Sequence, residues 1–104
     1  MMPTNYIYLL EACKNGDPKA QLQVYKIYFR QMFNISFSLV RNADAADEVV
    51  NESFLVVFDK ISSHKVSTDF LTLLTKHVQD RSIETWRKSN VPFPGFIAEK
   101  ILVK

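Results

Sequence analysis

The chain has 104 residues, the size of one small domain. Hydrophobic residues make up 47% of it and include eight Phe, four Tyr and one Trp, whereas two Gly and four Pro are too few for a turn-rich β fold. The net charge of +2 is small, and the single cysteine excludes an internal disulfide and is typical of a reducing compartment. We therefore expect an all-α protein with an apolar core, located in the cytoplasm.

The beginning of the chain does not resemble a targeting segment. Residues 1–10 contain no basic residue and no long apolar run, so we expect no signal peptide. No stretch of the sequence approaches the roughly 18 continuous apolar residues that a membrane helix needs. We therefore expect no membrane partner.

The first half of the chain predicts two helices. A short helix over 5–14 ends at Asn15-Gly16, because Gly adopts the left-handed conformation that terminates helices. Asp17-Pro18 starts the second helix as its N-cap and first residue. Apolar residues then recur at helical spacing as far as Val40. The cap-forming residues 41–44 predict a tight break after it.

The second half predicts two further helices of similar length. One follows the break and runs to about Lys60, and the other runs from Phe70 to about Lys88. Between them lies a polar loop in which Ser67 or Thr68 is expected to cap the later helix, with Asp69 in its first turn. The expected core is aromatic and aliphatic, drawn from these three longer helices: Tyr25, Phe29, Phe33, Phe54, Phe58, Phe70 and Leu74.

The prediction is thus a compact bundle of three main helices with short N- and C-terminal helices. Residues 1–90 form the helical domain, and residues 91–104 form a proline-containing tail. The tail is apolar enough to pack on the bundle or on a partner, and 96–103 is predicted as a short helix.

Charge is distributed unevenly along the chain. Residues 42–59 contain five acids and no Lys or Arg, whereas residues 1–41 carry a charge of +3 and residues 60–104 a charge of +4. The apolar residues Val50, Phe54 and Val57 fall on one side of the helix predicted there, and most of the acids fall on the other. The sequence therefore predicts an acidic helix within a basic protein.

The acidic segment also carries a recognisable motif. It reads Ala46-Asp47-Glu48-Val49-Val50-Asn51-Glu52-Ser53-Phe54, and Phe58 follows one turn later. Matching positions continue without a gap into the neighbouring helices, at Gly16-Asp17, Ala20, Tyr25, Tyr28, Met32, Leu39, Phe70, Leu74 and Arg87-Lys88. This register, over about residues 9–88, resembles region 2 of the extracytoplasmic-function sigma factors of bacterial RNA polymerase.

The resemblance implies transcription initiation and assigns two sets of residues. The acidic helix would dock on the clamp helices of the largest subunit of core RNA polymerase, through Asp47, Glu48, Asn51 and Glu52. The following loop and helix would bind the minus-ten promoter element on the non-template DNA strand. This second set comprises Ser63, His64, Lys65, Lys76, Gln79, Asp80, Arg81, Arg87 and Lys88.

The sequence departs from the family pattern on the proposed DNA side. Leu73 stands where the family usually has Trp, Asp80 where it has Asn, and Glu84 where it has Asp. Fourteen residues follow Asn90 in this sequence, whereas a complete family member continues into a helix-turn-helix region 4. These departures leave open an alternative, in which a sigma-like interaction protein binds polymerase or an anti-sigma factor without reading DNA.

Other chemistries find little support in the sequence. His64 and His77 are not part of a cluster with metal-ligand spacing, and Cys13 has no histidine near it in sequence, so a buried apolar role is favoured for Cys13. No phosphate loop, catalytic triad or paired-carboxylate motif is found. We expect no enzyme activity, no cofactor and no metal. Trp86 is expected in the core or lining a groove.

Overall fold

The structure is a computed structural model that describes residues 6–63 and 69–89. These residues form four α-helices: α1 (Tyr6–Lys14), α2 (Pro18–Val40), α3 (Ala43–Ser62) and α4 (Phe70–Ser89). No strand occurs in the described ranges, so the predicted all-α bundle of three main helices and a short N-terminal helix is confirmed. The predicted tail 91–104 and its short helix lie outside the described residues.

The connection between α1 and α2 follows the predicted cap chemistry. Gly16 has a φ of 83°, a left-handed conformation that costs little for a residue without a Cβ atom. Asp17 then takes the N-cap position of α2, where its carboxylate accepts a hydrogen bond of 3.0 Å from the backbone N–H of Lys19. Pro18 occupies the first turn, where its missing N–H costs nothing.

The break between α2 and α3 is only two residues long. Arg41 is left-handed (φ 58°), and its backbone N–H donates to the carbonyl oxygen of Phe37 at 2.9 Å. Asn42 is the N-cap of α3, and its side-chain oxygen accepts from the N–H of Ala45 at 2.9 Å. Since so short a connection reverses the chain, α2 and α3 lie side by side as an antiparallel pair.

The start of α4 corrects one sequence prediction. Asp69, expected inside the first turn, instead directly precedes the helix, and its carboxylate accepts from the backbone N–H of Thr72 at 3.2 Å. This i to i+3 bond is the N-cap interaction that the sequence assigned to Ser67 or Thr68. Those two residues lie outside the described part of the chain.

The core lies where α2, α3 and α4 meet, because each of these helices packs against the other two. Phe54, Phe58, Phe70 and Leu74 are buried there, as the sequence predicted. The remaining three predicted core aromatics are only partly buried and pack against the core from its edge: Tyr25, Phe29 and Phe33. The residues at the centre of α2 are instead Val24, Tyr28 and Met32.

Two serines make a polar contact inside this apolar core. Ser82 on α4 donates to Ser36 on α2 with an Oγ–Oγ distance of 2.7 Å, and neither residue is exposed to solvent. Because the two small hydroxyls form a hydrogen bond with each other, the two helices can approach closely without leaving a buried polar group unpaired.

None of the helices in the described ranges is long and apolar enough to cross a membrane.

Candidate functional site

The acidic face of α3 presents two exposed carboxylates. Asp47 and Glu48 are both exposed, and within the described residues neither forms an ion pair. They lie in the first half of the helix, where Glu48 is opposite the buried face and Asp47 is at its edge, beside α2. Their negative charges are therefore available to a partner.

The position of Asp47 is fixed by a chain of hydrogen bonds from α2. The hydroxyl of Tyr25 donates to the side-chain oxygen of Asn51 at 2.6 Å, and the amide nitrogen of Asn51 donates to Asp47 at 3.3 Å. Burial, and then the negative charge of Asp47, raises the pKa of Tyr25, so its phenol remains a donor at neutral pH. Asn51 is thus half-buried and oriented, whereas Asp47 and Glu48 project from the surface.

Glu52, the last of the four predicted polymerase-facing residues, has a partner within the chain. Its Oε1 lies 2.9 Å from Nη2 of Arg81 on α4, and Nη1 of Arg81 lies 2.8 Å from Glu84. The Arg81 side chain is 33% exposed. One predicted polymerase contact and one predicted DNA contact therefore bind each other.

The other cations of α4 are partly neutralised in the same way. Lys76 pairs with Asp80 at 3.2 Å, and Lys88 pairs with Glu84 at 3.3 Å. Arg87 is exposed and forms no ion pair with a residue that the structure describes. The net positive potential along α4 is therefore weaker than its number of basic residues indicates.

The predicted DNA-facing residues of α4 lie on two sides of the helix. At about 100° per residue, Lys76, Gln79, Asp80 and Arg87 fall within one sector, whereas Arg81 and Lys88 lie about 120–140° from Lys76, toward α3. Lys76 and Gln79 line one shallow depression together with Leu71, Thr72 and Thr75. The sector with Lys76 and Gln79 is thus the surface of α4 along which an extended single strand of DNA could lie.

Of the three loop residues predicted to contact DNA, Ser63 alone lies in the described part of the chain. Ser63 is exposed and ends α3, with its backbone N–H donating to the carbonyl oxygen of Asp59 at 3.1 Å and its hydroxyl to that of Lys60 at 3.0 Å. His64 and Lys65 lie outside the described residues. Ser63 therefore marks the point at which the chain leaves the acidic helix.

His77 is a half-buried residue between α3 and α4. Its Nδ1 lies 3.0 Å from the Oγ of Ser53, and that hydroxyl already donates its proton to the carbonyl of Val49 at 2.7 Å. We therefore assign Nδ1–H as the donor to Ser53. Burial, followed by the nearby charges of Lys60 and Arg81, lowers the pKa of His77, so the neutral ring is favoured at neutral pH.

Cys13 is a core residue, and Trp86 lies at the edge of the bundle. Cys13 is fully buried, and burial with a contribution from Asp17 raises its pKa to about 11, so it is a thiol rather than a reactive thiolate at neutral pH. Trp86 is partly buried near the end of α4. Within the described residues, no group of His, Cys, Asp and Glu side chains could hold a metal ion.

Two residues contribute to the site without having been assigned to it from the sequence. Tyr25 was expected in the core, yet its hydroxyl positions Asn51; Glu84 was noted only as a departure from the family, yet it pairs with two cations. The spacing of Glu84 from Arg81 and Lys88, three and four residues, was the signal for its pairing. A contact between separate helices such as Tyr25–Asn51 has no comparable signal in the sequence.

Comparisons of the chain with protein-family models, with curated proteins and with solved structures find no match. The functional interpretation of this site therefore depends on the motif and on the geometry described above.

Proposed function

We propose that the chain is a sigma region 2-like domain that binds core RNA polymerase through the acidic face of α3 and contacts the minus-ten element through α4. The observation that carries the proposal is the pair of exposed carboxylates, Asp47 and Glu48, which form no ion pair within the described residues. Carboxylates at adjacent positions of a helix can form charge-assisted hydrogen bonds with arginines of a partner helix.

The way in which these carboxylates are held supports the same function. The hydrogen bonds from Tyr25 through Asn51 restrain Asp47 before any partner binds, so less conformational entropy is lost in the complex. The buried face of α3 packs against both α2 and α4, which makes it a rigid platform. The clamp helices of the largest polymerase subunit are the proposed partner.

A single charge reversal with a matched control tests this function. Glu48→Lys should weaken binding to purified core RNA polymerase by about tenfold or more, because it replaces an attraction by a repulsion at the contact. Asp59→Lys makes the same change of charge three turns further along α3 and should leave affinity within about twofold. Affinity is measured by biolayer interferometry, and circular dichroism checks that both variants fold.

Two outcomes of this experiment would contradict the proposal. Wild-type protein that does not bind core polymerase would exclude the function. Equal weakening by Glu48→Lys and Asp59→Lys would show that only net charge matters, and the acidic face would then not be a specific contact.

A second function is favoured by the ion pairs of α4. In this alternative the domain binds polymerase or an anti-sigma factor without reading DNA. Lys76, Arg81 and Lys88 all have carboxylate partners within the chain. Since affinity for nucleic acid depends on the phosphates that free cations can neutralise, this surface is better suited to weak or no DNA binding.

A further inference from the structure

Two apolar depressions lie along the seam between α2 and α3 on the outside of the bundle. Tyr25 lines the first together with Leu22 of α2 and Leu55 of α3, which are 52% and 72% exposed, and Phe29 and Phe33 line the second. The rings of Tyr25, Phe29 and Phe33 follow one another with centroid separations of 5.2 and 5.8 Å, and they connect the two depressions into the floor of one groove. We call this feature, with these five residues, the α2/α3 groove. Contiguous exposed apolar surface of this kind is characteristic of an interaction site.

The two walls of the groove carry opposite charges. Arg30 on α2 and Asp47 on α3 line the same depression with Phe29 and Phe33, and both are exposed. Within the described residues they form no ion pair with each other or with another group. Lys26 and Asp44, one turn away on their respective helices, are also exposed and extend the basic and acidic walls. A partner would therefore meet a basic edge and an acidic edge separated by an apolar floor.

This arrangement is self-complementary under one symmetry operation. A two-fold axis along the groove places the α2 wall of one copy over the α3 wall of the other. Arg30 then faces Asp47 of the second copy, and Leu22 faces Leu55 of the second copy, each pair twice. A two-fold axis across the groove would instead set acid against acid and base against base. We propose that the α2/α3 groove is the contact between two copies of this chain, related by the axis along the groove.

The helix directions agree with this pairing. Because α2 and α3 are antiparallel within one chain, the same axis lays each α2 antiparallel to the α3 of the second copy. Four helices then surround the aromatic floors, which is the arrangement of a four-helix bundle. A contact that is isologous in this way uses the same surface in both copies and closes as a dimer. Each copy contributes five apolar residues and the charged pair Arg30 and Asp47, against roughly 20–30 residues a side in a standard interface, so we expect weak, reversible association with a Kd on the order of 100 µM.

Sedimentation velocity of the purified full chain, over about 1 to 500 µM, tests the dimer. The wild type should shift from monomer to dimer within this range. Leu55→Gln should raise the Kd by about tenfold or more, because it removes an exposed apolar contact without disturbing the core. Ile27→Gln is the matched control, since Ile27 is an exposed aliphatic residue on the side of α2 away from the groove, and its Kd should equal that of the wild type.

A charge exchange tests the proposed symmetry. Arg30→Glu and Asp47→Arg should each abolish self-association, because each sets like charges opposite one another. An equimolar mixture of the two variants should restore a dimer with a Kd within about threefold of the wild type, since every facing pair is then of opposite sign. Circular dichroism establishes that each variant is folded.

The proposal is overturned by any of three results: a wild type that is monomeric throughout the range, Leu55→Gln that associates as the wild type does, or a mixture that associates no better than its components. Asp47 is also part of the proposed polymerase face, so dimer and polymerase complex would exclude each other. This last consequence alone rests on the proposed function. The sedimentation experiments contain no polymerase, so either inference can fail without the other.

Discussion

Glu52 on α3 and Arg81 on α4 form an ion pair at 2.9 Å that joins the two helices bearing the candidate contacts. The other ion pairs of the described residues join positions three or four apart on α4 itself. Glu52–Arg81 is therefore the electrostatic link between the acidic helix and the helix that follows it. It joins the proposed polymerase face of α3 to the side of α4 that carries Arg81 and Lys88, which has consequences for stability and for binding.

The first prediction concerns the strength of this link. A double-mutant cycle with Glu52→Gln and Arg81→Gln should give a coupling free energy of about 0.2–1 kcal/mol, because both side chains remain partly exposed and solvent screens their attraction. The coupling should decrease in 1 M salt. Unfolding in urea, followed by the fluorescence of Trp86, provides the free energies. A coupling that is zero at low salt would show that the pair does not hold the helices together.

The second prediction compares two neighbouring residues on α3. Phe54→Ala should lower the free energy of unfolding by about 3–5 kcal/mol, because Phe54 is buried and its removal leaves a cavity against Tyr25 and Phe58. Leu55→Ala, next to it but largely exposed, should change the free energy by less than about 0.5 kcal/mol. Urea denaturation measures both. Similar losses for the two variants would contradict the orientation of α3.

The third prediction concerns the serine pair in the core. Ser36→Ala should cost about 1–3 kcal/mol, because it leaves the buried hydroxyl of Ser82 without its acceptor. The double variant, Ser36→Ala with Ser82→Ala, should cost less than the sum of the two single changes, since no polar group is then left unpaired. The same urea experiment measures this cycle. Simple additivity would show that the hydroxyls do not interact.

The fourth prediction concerns pH and follows from the lowered pKa of His77. Because that pKa lies below its ordinary value of 6.5, the unfolded chain binds a proton more tightly than the folded one. The contribution of His77 to stability is therefore fully present above about pH 6.5, and it is lost as the pH falls toward the native pKa.

The measurement is the free energy of unfolding in urea at pH 7.5 and at pH 5.5. The wild type should be less stable at the lower pH, and His77→Gln should show a smaller difference between the two. His64→Gln, which changes the only other histidine of the chain, is the matched control and should retain the difference. A difference that disappears in His64→Gln and persists in His77→Gln would contradict the assignment.

The sequence predicted the helices well because their boundaries depend on local chemistry. Asp17-Pro18, the cap-forming residues around Asn42 and the left-handed Gly16 each act on their own neighbours, and the structure confirms them. The helical spacing of apolar residues did not show which residues of α2 form the centre of the core. Tyr25 and Phe29 lie on the apolar side of α2 but at its edge, because the width of that side exceeds the surface that α3 and α4 can cover.

From the sequence, the candidate site could be predicted only as acidic and basic residues that recur at helical spacing. The sequence placed Glu52 and Arg81 on different helices, but which side chain meets which depends on the packing of those helices. The same holds for Tyr25 and Asn51, which are 26 residues apart. Long-range polar contacts of this kind determine whether a charge is available to a partner, and only the three-dimensional structure provides them.

The last prediction separates DNA reading from protein interaction alone. Asp80 pairs with Lys76, so Asp80→Asn removes one negative charge from α4 and also frees the ammonium group of Lys76. Binding to a labelled single-stranded minus-ten oligonucleotide, followed by fluorescence anisotropy at low salt, should therefore tighten. The slope of log K against log salt should steepen by about 0.7 if Lys76 gains a contact with one DNA phosphate.

The control is Asp59→Asn, which makes the same change of charge on α3. It should have little effect on DNA binding, because Asp59 has no ion pair among the described residues. Equal tightening by both variants would reflect net charge alone. If no variant binds at any salt concentration while polymerase binding remains intact, the charges of α4 serve to hold α4 itself together, and the domain acts through protein contacts alone.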